Sequence, residues 1–113
     1  MILQILQYIG CGFTILVGVY SLFVPNGITG FTGLSPQGGR GITEIRAIFG
    51  MLFIVLGLYP LVSGSPVAYR MLGYTYLSVG IVRLISIFID KSSEQSNWVS
   101  VAFEIIFGIV LIL

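Results

Sequence analysis

The sequence predicts an all-α integral membrane protein, an antiparallel four-helix transmembrane bundle. Three observations carry that expectation. Of 113 residues, 57% are hydrophobic and 8% are charged, with a mean hydropathy of +1.08. A soluble domain carries about 25% charged residues, and a chain this poor in charge cannot cover a wetted surface. Apolar runs of about 20 residues recur, the length that crosses hydrocarbon. Turn-forming clusters interrupt these runs at Pro25-Asn26-Gly27, at Ser63-Gly64-Ser65-Pro66 and at the polar residues 91–97. The alternating pattern of an outer-membrane barrel is absent. The expected organisation is a single transmembrane domain over residues 1–113. Its spans lie at residues 2–24, 43–62, 67–90 and 94–113, with a long Gly/Pro loop over residues 25–42.

The first span ends at Pro25 because proline cannot donate to the helix ladder and Asn-Gly favours a turn. It lacks a basic leader region and a small-residue cleavage site, so it reads as a retained span rather than a signal peptide. Gln4, Gln7, Cys11, Thr14, Gly18 and Ser21 recur at spacings of three and four and therefore share one face. The opposite face is Ile, Leu, Val and Phe, suited to lipid. The two glutamines read as interhelical hydrogen-bonding groups. Cys11 reads as a small packing residue, with no acid or base within reach on its own helix.

The loop that follows cannot lie bare in hydrocarbon, because its backbone groups would go unsatisfied. Phe31 and Leu34 are expected to fold it back onto the end of the bundle. It reads as a connector, or as a glycine-rich lid or anion nest beside Arg40. The spacing is not that of a Walker A loop, and no Lys-Ser/Thr follows.

In the second span, Thr43 suits an N-cap and Glu44 suits the positive end of a helix. Arg46, Gly50, Phe53, Gly57 and Pro60 fall on one face. Gly50 and Gly57 are a heptad apart and permit close approach by a neighbour. The short connection at residues 63–66 makes the second and third spans antiparallel neighbours. Ser65 can cap the third span, with Pro66 at its first position. Gly73, Tyr76, Gly80, Arg83 and Asp90 form another seam, with Ser86 beside it. Ser92-Ser93-Glu94-Gln95 matches a capping box for the fourth span, and Trp98 suits the membrane interface. The fourth seam is Asn97, Ser100 or Val101, Glu104, Gly108 and Leu111. The glycines Gly18, Gly50, Gly57, Gly73, Gly80 and Gly108 read as helix-packing positions.

Charges cluster on the loop side. Arg40, Glu44, Arg46, Arg83, Asp90, Lys91, Glu94 and Glu104 all lie there, and only Arg70 lies toward the termini. The positive-inside rule then puts loops 25–42 and 91–97 in the cytoplasm and both termini outside. An ionisable residue within a span costs about 2.5–3.5 kcal/mol on insertion scales, so it faces a partner or a cavity. Arg83 and Glu104 lie nearly equidistant from Glu94, which puts them at similar depth on antiparallel helices. They read either as an ion pair bracing the last two spans, or as part of a polar pocket. That pocket would be walled by Arg40, Glu44, Arg46, Arg83 and Glu104, with Tyr76 facing it.

The run from Gly39 to Gly50, with Gly57, Arg83 and Glu104, resembles an uncharacterised bacterial family of small four-span membrane proteins, domain of unknown function 4345. Its distinctive part is the run Glu44-Ile45-Arg46-Ala47 ahead of Gly50. The resemblance covers most of the chain and implies a four-helix membrane bundle but no activity. In shape the chain is also similar to DoxX-type four-span proteins, some linked to quinone chemistry, without a shared motif. It differs from small multidrug exporters, whose key acidic residue lies in the first span.

The function classes narrow by exclusion. There is no histidine and one cysteine, which removes the commonest general base and any internal disulfide. No metal site, cofactor or catalytic set is expected, so an enzyme is the least favoured class. The net charge of +1 and the lack of a basic cluster argue against a nucleic-acid partner. The leading expectation is a non-enzymatic accessory or assembly subunit of a larger membrane complex, respiratory or photosynthetic, in a bacterial inner or photosynthetic membrane. Its partners would be membrane lipids and a membrane protein or a second copy of the chain. The alternative is a binder or transporter of a lipid, quinone or anion, using the Glu/Arg pocket.

Overall fold

Four apolar runs become four long helices in the computed structural model, which describes residues 1–113. They are α1 (Ile2–Phe23), α2 (Gly38–Ser63), α3 (Pro66–Ile89) and α4 (Gln95–Ile112). Their lengths are 22, 26, 24 and 18 residues. At 1.5 Å per residue even α4 rises about 27 Å, close to a hydrocarbon thickness. There is no strand. The protein is all-α and multi-pass, with four helices long and apolar enough to cross a membrane. Large apolar side chains stand exposed along all of them, including Ile5, Leu16, Val55, Val82 and Ile106, as lipid-facing surfaces require.

The chain forms two compact units. One comprises Ile9–Gly64 and the other Met1–Tyr8 with Ser65–Leu113. In the first, α1 and α2 run antiparallel with their backbones in close approach. A Cβ added at Gly18 would lie 2.6 Å from the Gly50 carbonyl oxygen, and one at Gly57 would lie 2.6 Å from the Cys11 carbonyl oxygen. Cys11 to Gly18 and Gly50 to Gly57 are both one heptad, so two small-residue contacts stack in register. Thr14 and Ser21 are buried on the same face of α1. Their hydroxyls donate to the carbonyls of Gly10 and Val17, each at 2.8 Å. That back-bonding satisfies a hydroxyl that has no water.

Three expectations for this unit fail for identifiable reasons. First, α2 begins at Gly38 rather than residue 43. Gly38 takes φ 65°, a left-handed conformation that glycine adopts without strain, and the helix enters there from extended Gln37. Thr43 is therefore no cap: it lies within the helix, and its hydroxyl donates to the Gly39 carbonyl at 3.0 Å. Glu44 correspondingly sits beyond the first turn. Second, Ile45–Leu52 is π-helical, with i to i+5 bonding. An α-helical step of four back from Gly50 would bury residue 46. The wider π step buries Ile45 instead and leaves Arg46 exposed. Third, residues 25–32 are not a loose loop. Pro25–Ile28 forms a 3-10 turn and Thr29–Thr32 a helical turn. Pro25 and Ile28 are its buried anchors, while Phe31 and Leu34 stand exposed.

In the second unit α3 and α4 pack antiparallel along their length. Gly73 and Gly108 are the close point: a Cβ on Gly73 would meet the Gly108 carbonyl oxygen at 2.8 Å, and one on Gly108 the Leu77 Cγ at 2.7 Å. Gly80 faces the side chains of Glu104 and Ile105. Val101, rather than Ser100, takes the buried place on α4, with Glu104, Gly108 and Leu111. Of the two glutamines, Gln7 bonds to a neighbouring helix, donating to the Val110 carbonyl at 3.0 Å. Gln4 instead donates to Tyr8 on its own helix. The N-cap of α4 is Glu94 in an extended conformation. The expected capping box does not form, because Ser92 is engaged by Asn97.

Candidate functional site

The second unit concentrates the buried polar chemistry. Arg83 projects from α3 and Glu104 from α4. The Arg83 Nε donates to Glu104 Oε1 at 2.9 Å and the Nη2 to Oε2 at 3.0 Å. This two-pronged grip is the strongest geometry the two groups can adopt. The Arg83 Nη1 donates to the Asn97 Oδ1 at 3.1 Å. Asn97 in turn spends its amide hydrogens on Ser92, reaching the carbonyl at 3.0 Å and the hydroxyl at 2.9 Å. The network therefore runs Glu104, Arg83, Asn97, Ser92. It ties α3, α4 and the connection between them into one hydrogen-bonded clamp.

The two charges differ in exposure. The Glu104 side chain is 9% exposed and that of Arg83 33%. The open side of Arg83 faces a cleft of about 460 Å3, lined by Ser78, Val79, Val82, Arg83, Ser86 and Asn97. Small-molecule sites span roughly 300–1,000 Å3, so the cleft has ligand size. A guanidinium carries five N–H donors. Three are used within the protein, which leaves two. The hydroxyls of the cleft are already committed: Ser78 donates to the Tyr74 carbonyl at 2.8 Å, and Ser86 to the Asp90 carboxylate.

The other residues expected at a polar pocket have their own partners. Arg40 and Glu44 form an ion pair one helical turn apart on α2, with Nη2 to Oε1 at 3.0 Å. Arg46, freed from the buried seam by the π-helical turn, donates from Nε to the Leu22 carbonyl at 3.1 Å. It thereby satisfies one of the orphan carbonyls at the end of α1. Tyr76 lies off the Arg83 cleft, with its ring edge-on to Phe103 at a centroid distance of 5.5 Å. No group of three or more acidic, cysteine or histidine side chains converges as a metal site. Asn97 lies on the α4 seam, where its type and position alone give it no role. The available signal was its position seven residues before Glu104, on the same helix face.

No curated protein and no solved structure matches the chain. The family model described as Domain of unknown function (DUF4345) matches residues 2–113. That match takes in all four spans and both halves of the clamp. The chain belongs to the family of domain of unknown function DUF4345.

Proposed function

We propose that the protein holds the hydrogen-bond-accepting head of a membrane amphiphile in the Arg83 cleft, without catalysis. One observation carries this reading: a guanidinium fixed by Glu104 and Asn97 lines a cleft of ligand size and keeps two donors to spare. A fixed donor loses little freedom on binding. Val79 and Val82 line the same cleft and stand exposed on α3, so an apolar tail can leave the site toward lipid. A lipid headgroup, a quinone or a free anion would all supply acceptors. The accessory-subunit reading rests on small size and the lack of a catalytic set, and no side-chain arrangement adds to it. With loops 25–42 and 91–97 cytoplasmic, in a bacterial inner or photosynthetic membrane, the cleft opens in the cytoplasmic half.

The competing role for the same residues is bracing alone. To separate the two, wild type, Arg83→Gln and Val82→Trp are purified in dodecyl maltoside, and bound amphiphiles are extracted and identified by mass spectrometry. Val82→Trp fills the cleft and leaves the ion pair untouched. The expected result is a defined amphiphile on wild type that is lost from Val82→Trp while its helicity is unchanged. Equal retention by wild type and a folded Val82→Trp, or an empty wild type, overturns the reading and leaves Arg83 and Glu104 as a brace.

A further inference from the structure

Resting on that reading, we infer that the head held by Arg83 is an uncharged acceptor, a carbonyl of the ester or ketone kind, rather than a phosphate or carboxylate. The inference comes from which parts of the guanidinium are already in use. Its Nε/Nη2 edge is one of two that can grip an oxyanion with two parallel hydrogen bonds; the Glu104 carboxylate occupies that edge, and Asn97 already takes a hydrogen of Nη1 on the other. The positive charge is therefore matched before any ligand arrives. Glu104 is buried and close-packed, so it cannot swing away into water to make room.

The surroundings add no positive excess. Ser86, which lines the cleft, donates to Asp90, and this places a second carboxylate beside the site. Around the same end of α3 and α4 stand Arg83 and Lys91 against Asp90, Glu94 and Glu104, two cations to three carboxylates. An arriving anion meets like charge at short range from buried Glu104 and from Asp90, and juxtaposed like charges are costly. A neutral carbonyl meets no such opposition. It also suits the donor count: Ser78, Ser86 and Asn97 have committed their hydrogens. Arg83 lines the cleft with two N–H groups uncommitted, and a carbonyl oxygen has two lone pairs to accept them.

The test compares two lipids with identical acyl chains, a diacylglycerol and a phosphatidic acid, titrated into the purified protein in dodecyl maltoside. Occupancy is read by native mass spectrometry, and the occupancy seen on Val82→Trp is subtracted as the share outside the cleft. Diacylglycerol is expected to occupy the cleft about tenfold more strongly or better, the scale set by a like-charge contact. Phosphatidic acid binding as well or better overturns this inference and leaves the amphiphile reading standing. If neither lipid shows cleft-dependent occupancy, both fall. A second arm uses Glu104→Gln, which keeps an acceptor for Arg83 and removes the charge. Its preference is expected to reverse toward phosphatidic acid; a folded variant with an unchanged preference overturns the charge account, and the wild-type comparison stands whether or not Glu104→Gln folds.

Discussion

The two helix pairs of this protein solve the same problem in different ways. Each must hold two apolar helices together where lipid tails are as apolar as the helices, so burial of oily surface provides no preference. The pair α1 and α2 does it by proximity. Gly18 and Gly57 bring backbone against backbone, the Thr14 and Ser21 hydroxyls are turned back onto their own helix, and the one side-chain hydrogen bond described across the pair, Arg46 to the Leu22 carbonyl, lies at its end. The pair α3 and α4 uses proximity at Gly73 and Gly108. Toward the connection at residues 91–97 it changes to a polar clamp built on Arg83, Glu104 and Asn97. Close packing leaves no volume. The clamp needs room for a guanidinium, and that room is where the cleft forms. The ligand-sized cleft beside Arg83 accordingly belongs to the second pair.

The largest test of this contrast removes one charge from the clamp. Arg83→Ala leaves Glu104 buried without its partner, and breaking a buried pair in this way costs about 3–5 kcal/mol in soluble proteins. Glu104→Ala is expected to cost less, because Arg83 is a third exposed and its long stem can carry the charge outward. Unfolding in mixed micelles of dodecyl maltoside and dodecyl sulfate gives the comparison, read by the fluorescence of the single tryptophan. Trp98 lies against Phe88 with ring centroids 6.0 Å apart, so it reports on this pair. Equal destabilisation by the two variants would mean that the difference in burial has no energetic weight.

The next test asks whether the first pair depends on contact alone. Gly18→Ala and Gly57→Ala put a methyl 2.6 Å from a backbone oxygen, and backbone cannot step aside cheaply. Overpacking of this kind costs about 1–3 kcal/mol. At Gly80 the nearest atoms belong to the side chains of Ile105 and Glu104, at 3.0 and 3.2 Å, so alanine there should cost less. Gly12 has nothing within 4 Å; alanine at that position should stabilise by about 0.5–1 kcal/mol through helix preference. The order Gly18 and Gly57 worst, Gly80 milder, Gly12 favourable is checked by circular dichroism in the same mixed micelles. A destabilised Gly12→Ala would contradict the account, since no contact is available to explain it.

How far each pair was legible in the sequence follows from the same contrast. The spacing of Cys11, Thr14, Gly18 and Ser21 exposes the α1 seam, because small and weakly polar residues stand out against Ile and Leu. Arg83 and Glu104 could be matched in depth by counting outward from Glu94, since a short hairpin fixes the register. Spacing puts Arg46 on the glycine seam, whereas the structure exposes it. Its seam was extrapolated from Gly50 at α-helical spacing, and nothing in the local composition announces that hydrogen bonds there run one residue longer. The start of α2 was hidden for a related reason. Gly38, Gly39 and Gly41 read as loop, yet Gly38 supplies the left-handed turn through which the helix begins.

The smallest expected effect belongs to the charges that first draw the eye in the sequence. Arg40 and Glu44 pair at 3.0 Å, but their side chains are 84% and 52% exposed. An exposed pair one turn apart on a helix contributes about 0.3–0.5 kcal/mol. Here the cation precedes the anion, the weaker order. Arg40→Ala and Glu44→Ala should therefore each shift the unfolding midpoint within experimental scatter, and the double variant should match the sum of the two singles. A coupling energy above about 1 kcal/mol between them would exceed any exposed pair of this geometry. It would mean that the two charges are covered in the membrane-bound protein, by a partner or by lipid headgroups. The first pair would then carry a covered charge pair beside its Arg46–Leu22 hydrogen bond, and the division between packing and clamp would no longer hold.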